Sequence, residues 1–386
     1  MEKKTLEECF YQIRNGANIK QGVLDGGYPI TRIETTTDGR FNRDKMGYAG
    51  ITDLSKYESY VLEDGDLLMS HINSVQYLGR TVLYKKKDAE EKIIHGMNLL
   101  SLKANKDVIK PEYARYYFCS SLFKKQITRI AKKSVNQASF TVADLKKLVV
   151  DVPSLSEQMK IAEILDCVNE VIFTRRQELQ KLDDLVKARF VELFIGKGYP
   201  TRTVNEVSLG KGEYGAQSAS VEYNPSRPRY VRITDINDDG TLNDDVVASI
   251  NTADDEEYRL EYGDFMFARM GATVGKAYAF IEGNQIFAGY LIRYKLNQAL
   301  INPRYLFWYT KLDEYWNWVK LNQSGAAQPG INAKKYGSLR IPVPPIEEQN
   351  AFATFVKQTD KSKAAVQKSL DKLQIFFDKL MQEYFG

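Results

Sequence analysis

Residues 152–158 read Val-Pro-Ser-Leu-Ser-Glu-Gln, and no proline or glycine follows them until Gly196. Residues 343–349 read Val-Pro-Pro-Ile-Glu-Glu-Gln and open a second stretch of the same kind, which runs to Phe385. The two stretches keep a constant offset of 191 residues, from 157 to 348 and from 194 to 385. Two copies of one long helix therefore organise the chain.

Both stretches carry the start signals and the spacing of a long helix. Ser154 with Glu157 three residues later fits a capping box, and Pro345 suits a first helical position, where a missing N–H costs nothing. Apolar residues then recur at alternating spacings of four and three, which is typical of a coiled-coil stripe. The stripe consists of Ile161, Leu165, Val168, Ile172, Leu179, Leu182 and Val186 in the first copy, and of Phe352, Val356, Val366, Leu370, Leu373 and Phe377 in the second.

A helix with such a stripe could form a homodimer zipper or pair within the chain. Globular sequence separates the two copies and lets the second helix return beside the first, so we expect an intramolecular antiparallel pair. Polar residues interrupt the stripe at Arg175, Thr359 and Lys363. Such breaks either fix the register of the pair or mark where the stripe leaves it for a partner protein.

The composition is that of a core-forming globular protein, with 43% hydrophobic and 12% aromatic residues. A length of 386 residues allows two or three domains. The formal net charge of +4 does not by itself demand a polyanionic partner, so local clustering must carry any nucleic-acid argument. Three widely spaced cysteines argue against a disulfide framework and indicate a reducing, cytoplasmic environment. We expect neither a signal peptide nor a membrane span.

The segments between the helices repeat as well. The order of elements is kept while the offset shrinks along the chain, so the two copies are one fold with loops of different length. The matching segments are residues 28–34 and 230–236, 62–67 and 260–265, 78–84 and 274–280, 111–117 and 303–309, and 137–140 and 328–331.

The sequence therefore predicts an α+β protein in which two similar mixed α/β domains alternate with two long helices, with an internal pseudo-twofold repeat. The predicted parts are a first domain at 1–151, a first helix at 152–198, a second domain at 199–342 and a second helix at 343–386. Within the first copy the pattern predicts an extended run at 28–34, a helix beginning at Pro111, a basic polar loop at 130–140 and a strand at 145–152.

No catalytic or metal-binding motif emerges. The segment 271–277 resembles a phosphate loop, but it has three residues between its glycines instead of four, and Ala277 follows the lysine where a Ser or Thr should bind Mg²⁺. His71 and His95 are the only histidines, and their spacing fits no metal site. We therefore expect a non-catalytic chain with no cofactor of its own.

Candidate DNA contacts are basic residues mixed with amides and aromatics in predicted loops. Lysine and arginine neutralise phosphates, while Asn, Gln and Arg pair with base edges. The densest cluster, residues 124–137, begins with Lys124, Lys125 and Arg129, and the corresponding residues 320–328 are less basic. For any single candidate the competing interpretation is a solvated surface residue. The candidates are Arg14, Lys20, His71, Asn73, Gln76, Arg80, Lys132, Lys133, Asn136, Gln137, Lys211, Tyr214, Gln217, Arg269, Lys276, Asn322, Gln323 and Gln328.

The double occurrence of a Pro-x-Leu/Ile-x-Glu-Gln opening before a long heptad helix resembles the specificity subunits of type I restriction–modification enzymes. The alternation of domain, helix, domain and helix over the whole chain, and the Gly65-Asp66 and Gly263-Asp264 turns, fit the same family. The resemblance implies that each domain reads one half of a split DNA sequence. The paired helices would set the spacer and dock two methyltransferase subunits, which bind S-adenosylmethionine and methylate adenine, while a separate motor-nuclease subunit cleaves.

Two other functions remain open at this stage. The two domains and their helices could form a scaffold that holds two copies of a protein partner without any DNA role; salt-dependent, sequence-selective DNA binding by the complex would exclude it. A self-contained enzyme acting on DNA would require a catalytic constellation that the sequence does not offer, and methyl transfer by the isolated chain would establish it.

Overall fold

The computed structural model describes residues 2–19, 26–37, 39–134, 137–250, 256–325 and 329–386. The chain divides into two compact units. The first unit comprises Met1–Arg176 and Ser369–Gly386, and the second comprises Gln177–Lys368. Each unit therefore contains one globular segment and parts of both long helices.

The first unit contains eleven short strands among the described residues: β1 (Glu2–Thr5), β2 (Phe10–Asn15), β3 (Pro29–Ile30), β4 (Gly47–Tyr48), β5 (Leu67–Ser70), β6 (Ile72–Asn73), β7 (Thr81–Leu83), β8 (Leu99–Ala104), β9 (Lys132–Lys133), β10 (Ala138–Ser139) and β11 (Val149–Val152). Its short helices are α1 (Leu6–Cys9), α2 (Pro111–Cys119), α3 (Ser121–Ile130) and α4 (Val142–Lys146). The first long helix is α5 (Leu155–Phe194).

The second unit repeats this order. Its described strands are β12 (Thr201–Thr203), β13 (Glu213–Tyr214), β14 (Ser220–Glu222), β15 (Arg229–Val231), β16 (Ala248–Ile250), β17 (Asp264–Ala268), β18 (Ala277–Ala279), β19 (Gln285–Phe287), β20 (Leu291–Lys295) and β21 (Arg340–Pro342). Its short helices are α6 (Pro303–Tyr309), α7 (Asp313–Asn322) and α8 (Ala333–Gly337). The second long helix, α9 (Ile346–Phe385), begins in this unit and ends in the first.

The central sheet has the same strand order in both units. The first unit orders its four antiparallel strands β2-β8-β5-β7, and the second orders the equivalent strands β13-β20-β17-β18. In each unit a separate two-stranded sheet, β1–β11 or β12–β21, joins the first strand of the unit to the strand that leads into the long helix. The predicted repeat of one α+β fold is therefore present in the structure.

A glycine–aspartate turn opens the central strand in both units. Gly65 and Gly263 adopt φ values of +93° and +98°, a conformation that side-chain-bearing residues rarely adopt. The carboxylates of Asp66 and Asp264 are buried, and they accept the N–H groups of Glu63 and Glu261 at 2.9 and 3.0 Å. Burial raises the pKa of both carboxyls. The two turns thus share their chemistry as well as their sequence.

Helix α5 begins where the capping signal predicts, and α9 begins one residue after Pro345. The Ser154 hydroxyl accepts the N–H of Glu157 at 3.3 Å, one half of a capping box. The side chains of the predicted stripe are buried or half-buried in both helices, from Ile161 to Val186 and from Phe352 to Phe377. One polar break, Lys363, pairs with Asp183 at 2.6 Å.

Each globular segment packs against the start of one long helix and the end of the other. In the first unit Ile161 and Leu165 of α5 share a core with Leu380 and Phe385 of α9, and the Phe385 ring lies 5.2 Å from that of Tyr113. The second unit reverses the roles: the Phe194 ring at the end of α5 lies 4.9 Å from Tyr305 and 5.5 Å from Phe352 of α9. Equivalent aromatic contacts thus attach the end of α9 in the first unit and the end of α5 in the second.

The structure corrects several local predictions. The predicted strand at 145–152 shortens to β11, because residues 145 and 146 belong to helix α4, which is capped by the Thr141 hydroxyl. The extended run at 28–34 shortens to β3 and turns into a 3₁₀ helix at Ile33–Thr36. The basic loop at 130–140 contains the paired strands β9 and β10. Pro345 lies one residue before α9, while the helix predicted to begin at Pro111 is confirmed.

Candidate nucleic-acid interface

In the first unit, two candidate segments far apart in sequence form one small sheet. Strand β10 pairs antiparallel with β6 on one side and with β9 on the other. Asn73 thereby lies level with Ala138 and Lys133, and Ile72 with Ser139 and Lys132, in adjacent registers. We call this three-stranded sheet the first patch. It joins the segments 71–77 and 130–140, whose residues the sequence predicted as separate groups of candidate DNA contacts.

Lys132, Lys133 and Gln137 form the exposed edge of the first patch. Among the residues that the structure describes, neither lysine has an ion-pair partner. The carbonyl of Gln137 accepts from the backbone N–H and the hydroxyl of Ser134, at 2.7 and 2.9 Å, so the hairpin is closed by its own bonds. These cations are therefore available for phosphates. Lys124, Lys125 and Arg129 lie instead on the exposed side of α3, and Asn136 lies outside the described residues.

His71 supports the patch from below. Its carbonyl accepts the N–H of Phe140 at 3.3 Å, and its ring meets the Phe140 ring edge-on at 6.4 Å. The side chain is buried, its Nδ1 has no hydrogen-bond partner among the described residues, and burial lowers the pKa of the imidazole. Its position is therefore at the base of the patch rather than on its outer face.

A 3₁₀ turn at Val75–Tyr77 follows β6 and carries the next candidates. Gln76 is exposed at the middle of this turn. Arg80 stacks its guanidinium 4.4 Å from the Tyr77 ring centroid and donates to the Thr37 carbonyl. Tyr77 itself is 40% exposed, so an aromatic and a cation together extend the patch.

Arg14 and Lys20 are not members of the first patch. Arg14 lies on β2, where its guanidinium stacks 3.9 Å from the Tyr60 ring centroid. Lys20 lies outside the described residues. Asn73, which is in the patch, donates to the Ser70 hydroxyl at 3.1 Å and accepts the N–H of Ser74 at 2.8 Å.

The second unit builds an equivalent patch with different side chains. Bridges join Met270 to Gly330 and Gly330 to Ser324, in the same order as Ile72, Ser139 and Lys132. The carbonyl of Arg269 accepts the N–H of Ile331 at 2.9 Å, as that of His71 accepts the N–H of Phe140. We call this arrangement the second patch. Arg269 therefore occupies the position of His71.

Arg269 lies between two exposed tyrosines. Its guanidinium carbon is 5.0 Å from the Tyr214 ring centroid and 5.8 Å from that of Tyr290, and its Nε donates to the Gly289 carbonyl at 3.1 Å. The Tyr214 hydroxyl is fixed in turn by the N–H of Ala333 at 3.2 Å. Among the described residues, the two terminal nitrogens of Arg269 have no partner. The stacking preorganises these two nitrogens, which we call the Arg269 fork and which match the O6 and N7 atoms of guanine.

A cavity of about 400 Å³ is bordered by Gly289 and Tyr290, two residues that Arg269 contacts. Gln217, Tyr230 and Tyr290 line it, and Gln217 is exposed. The Gln217 amide donates to the Gly215 carbonyl at 3.4 Å. Gln217 thus lines the same cavity as Tyr290, whose ring lies near the Arg269 guanidinium.

The remaining candidates of the second unit make structural contacts or lie at its edge. Lys276 pairs with Asp238 at 2.7 Å, and this bond lowers the pKa of the Asp238 carboxyl. The backbone carbonyl of Asn322 accepts from the Lys335 ammonium at 2.7 Å, and its side-chain amide donates to the Trp318 carbonyl at 2.9 Å. Gln323 is exposed just after α7, Lys211 is exposed before β13, and Gln328 lies outside the described residues.

Sequence reasoning missed Tyr77 and Tyr290, the exposed aromatics that stack on Arg80 and Arg269. A usable signal existed for each, since Tyr290 follows Gly289 and Tyr77 lies two residues before Gly79, in loops between apolar strands. It also named Arg14 and Lys276 on charge alone, although both are engaged elsewhere. Among the aromatic residues of 305–318, Tyr305, Tyr309 and Tyr315 are buried, while Trp316 is exposed.

The described residues contain no group of three or more His, Cys, Asp or Glu side chains that could hold a metal ion. Within the same part of the chain, no helix is both long and apolar enough to cross a membrane.

Comparison with known proteins identifies the family. A profile of the type I restriction modification DNA specificity domain matches residues 1–183 and 203–374. A putative type I restriction enzyme MjaX specificity subunit from Methanocaldococcus jannaschii is 30% identical over 409 residues, which cover 96% of this chain and 91% of that protein. The type I restriction enzyme EcoKI specificity subunit of Escherichia coli is 27% identical over 161 residues, 42% of this chain and 34% of its own.

The crystal structure of a type I restriction–modification system S subunit from M. genitalium has the same fold, with a TM-score of 0.61 at 15% identity over 100% of this chain and 96% of that one. The resemblance read from the helix openings is therefore confirmed. With two matched domains, a relative similar over nearly its whole length and a shared fold, the chain belongs to the family of type I restriction–modification DNA specificity subunits.

Proposed function

We propose that each unit reads one half of a split DNA sequence, and that the two long helices pair as an antiparallel coiled coil that sets the spacer between the halves. The observation that carries the proposal is the repeated patch: one backbone arrangement occurs in both units with different side chains on it. A duplicated DNA-binding unit whose contact side chains differ between the copies suits the recognition of two different half-sites. The predicted segments 1–151 and 199–342 are the two readers in this proposal.

The exchange of helix ends supports the antiparallel pair. The start of α5 shares a core with the end of α9 in the first unit, and the end of α5 shares a core with the start of α9 in the second. The Lys363–Asp183 ion pair provides a polar contact that specifies the register. An internal pseudo-twofold relation follows from such a pairing, because each globular segment meets the helices in the same way.

The chemistry of the two patches suggests which contacts read bases. Arg269 reads a guanine with its terminal fork, and Asn73, Gln76 and Gln137 supply amides for base edges in the first half-site. Lys132 and Lys133 neutralise phosphates and fix the orientation of the first unit on the duplex. The major groove is wide enough to admit a two-stranded β-ribbon such as β9–β10.

The proposed assembly contains double-stranded DNA, two methyltransferase subunits and, in the full complex, motor-nuclease subunits. This chain contributes specificity and no reacting group, and S-adenosylmethionine binds to the methyltransferases in the cytoplasm. Both helices expose apolar side chains that suit a protein partner: Ile164, Val171, Leu185 and Val191 on α5, and Ile375 and Phe376 on α9. With a net charge of only +4, this chain relies on its partners for much of the phosphate contact.

The test is a map of adenine methylation in cells that express the methyltransferase with and without this chain. We expect a split, asymmetric motif that disappears with the chain. Exchanging residues 1–151 for the matching segment of a relative should then replace one half of the motif, and exchanging 199–342 should replace the other. Methylation that is independent of the chain, in the presence of expressed methyltransferase, would favour a protein scaffold instead.

A further inference from the structure

A fully buried glutamine lies where each globular segment meets its long helix. Gln158 and Gln349 have no exposed surface at all, with 0% relative accessibility. The Oε1 atom of Gln158 accepts the backbone N–H of Lys110 at 2.8 Å. Its Nε2 donates to the carbonyls of Val108 and Pro153, at 3.0 and 2.9 Å.

The second copy repeats all three hydrogen bonds. Gln349 accepts the N–H of Asn302 at 2.9 Å and donates to the carbonyls of Leu300 and Pro344, at 3.0 and 2.8 Å. The partners are backbone groups, so the arrangement does not depend on the side chains around it. The Glu-Gln pair that opens both helices in the sequence thus has a specific structural use for its second residue.

The three bonds connect two different elements. Val108 and Lys110 end the connection that leads into α2, while Pro153 precedes α5. One side chain therefore ties the first turn of the long helix to the entrance of a helix in the globular segment. A neutral amide is the group that can both accept and donate here without a buried charge.

Apolar contacts also hold this junction, but they are not directional. Ile161 and Leu165 pack into the core of the first unit, and Phe352 and Val356 into that of the second. Burial of apolar surface stabilises many similar arrangements almost equally. Hydrogen bonds lose strength steeply as their angles deviate, so the buried glutamine selects the angle together with the partly exposed ion pairs Arg115–Asp166 and Arg304–Asp360, which also join the globular segment to the helix.

We infer that Gln158 and Gln349 are positioning residues for the spacer of the DNA site: each fixes the angle between a unit's patch and its long helix, and together they restrict the complex to one spacer length. The inference rests on the proposed function. Adding one base pair to the spacer moves a half-site by about 3.4 Å and rotates it by about 35°. A complex with rigid junctions cannot accommodate this shift and rotation of a half-site. A complex with loosened junctions can divide them between its two units.

The test uses the assembled complex and a panel of duplexes with both half-sites at the native spacer, one base pair shorter and one base pair longer. The variants are Gln158→Met, Gln349→Met and the double substitution. Methionine keeps the volume and removes the three bonds. We expect the methylation rate at the wrong spacers, relative to the native one, to rise about tenfold in each single variant, the value of one to two hydrogen bonds, with the half-site sequences unchanged.

The matched controls are Tyr117→Phe and Tyr309→Phe. They remove hydroxyl bonds to the carbonyls of Val149, at 3.0 Å, and Arg340, at 3.3 Å, at equivalent places away from the junction. These controls should lower stability without altering the preference for the spacer. An equal change in the controls, or an unchanged spacer preference in the glutamine variants, would overturn the inference.

A variant that fails to assemble is replaced by Gln158→Asn or Gln349→Asn, which keeps an amide too short to reach all three partners. Relaxed spacing in this variant supports the inference. If the asparagine variants also fail while the tyrosine controls assemble, the glutamines hold the fold rather than the spacer, and the inference is wrong. A wild-type complex that methylates no split site, or shows no spacer preference, would contradict the proposed function itself and this inference with it.

Discussion

The first and second patches share their backbone and differ in their side chains. The same carbonyl-to-amide bond holds His71 in one unit and Arg269 in the other. Lys132 stands at the edge of the first patch, and Ser324 takes its place in the second. Because backbone bonds build the patch, its side chains are free to change without loss of the fold. The difference explains how one scaffold can serve two targets.

A second difference concerns the turn that faces α5. In the first unit Arg40 stacks 3.8 Å from the Phe173 ring centroid and pairs with Glu170 at 3.1 Å, which closes the turn onto the helix. The corresponding turn of the second unit carries Thr241, and a cavity of about 740 Å³ remains there. Lys311 lines the same cavity and donates to the Asp238 carbonyl of this turn, and burial lowers the pKa of its ammonium to about 8.

The largest effect that separates the patches is expected from Arg269→Ala. Loss of a bidentate contact to guanine should lower the methylation rate of the complex about 10- to 100-fold and relax specificity only in the half-site read by the second unit. Rates on duplexes with single-base changes in either half measure this. Arg202→Ala, an exposed arginine on β12 of the same unit, is the control and should change neither rate nor specificity. Relaxed base specificity in the half-site read by the first unit would show that the two patches do not act separately.

Acid should destabilise the first unit more than the second. Both histidines of the chain lie in the first unit. Burial lowers the pKa of His71, and lowers that of His95 to about 4. The unfolded chain therefore binds more protons than the folded one from about pH 6.5 downward, so the free energy of unfolding falls as the pH drops through this window. His95 alone should account for about 2 kcal/mol between pH 7 and pH 5.

Hydrogen exchange resolved by unit, and corrected for intrinsic rates, measures this difference. Asp66 and Asp264 are equivalent and shifted in the same direction, so they do not separate the units. His95→Gln removes the largest titrating group and should bring the first unit closer to the second. Equal loss of protection in both units at pH 5 would refute this account.

The smallest effect concerns phosphates. Replacing Lys132 and Lys133 by alanine should flatten the dependence of log affinity on log salt concentration by about 2, since each phosphate contact contributes about 0.9. The same substitution at Lys124 and Lys125 on α3 removes equal charge and should leave the slope nearly unchanged. Ser324→Lys should steepen the slope by about 0.9 by giving the second patch the charge of the first. Equal slopes for both lysine pairs would place the phosphates on α3 as well.

The long helices and the domain repeat were predictable because their signals are local and periodic. Capping at Ser154 and the recurrence of apolar residues need no knowledge of the tertiary fold. Helix α4 was not predictable in the same way, because the apolar run that contains Leu145 masked the cap at Thr141. The buried glutamines were visible as a repeated motif, but their partners lie 48 and 47 residues away. Composition alone could not identify them.

The arrangement of the candidate residues was predictable in part. The sequence named His71, Asn73, Lys132 and Lys133 as candidate DNA contacts, but it could not show that they lie at one sheet, because strands β6, β9 and β10 have two residues each and no period to detect. The equivalence of His71 and Arg269 follows from the sequence repeat, because the offset of 198 between residues 62–67 and 260–265 places the two residues level. The shared carbonyl bond agrees with that alignment.

The sharing of helix ends has a consequence for synthesis. The core of the first unit includes Leu6 and Tyr113 near the start of the chain and Leu380 and Phe385 near its end. A ribosome makes on the order of 5–20 residues per second, so tens of seconds separate the two groups during translation. The globular segment that is made first is thus completed last. Its apolar surface stays uncovered until the final turns of α9 have been made.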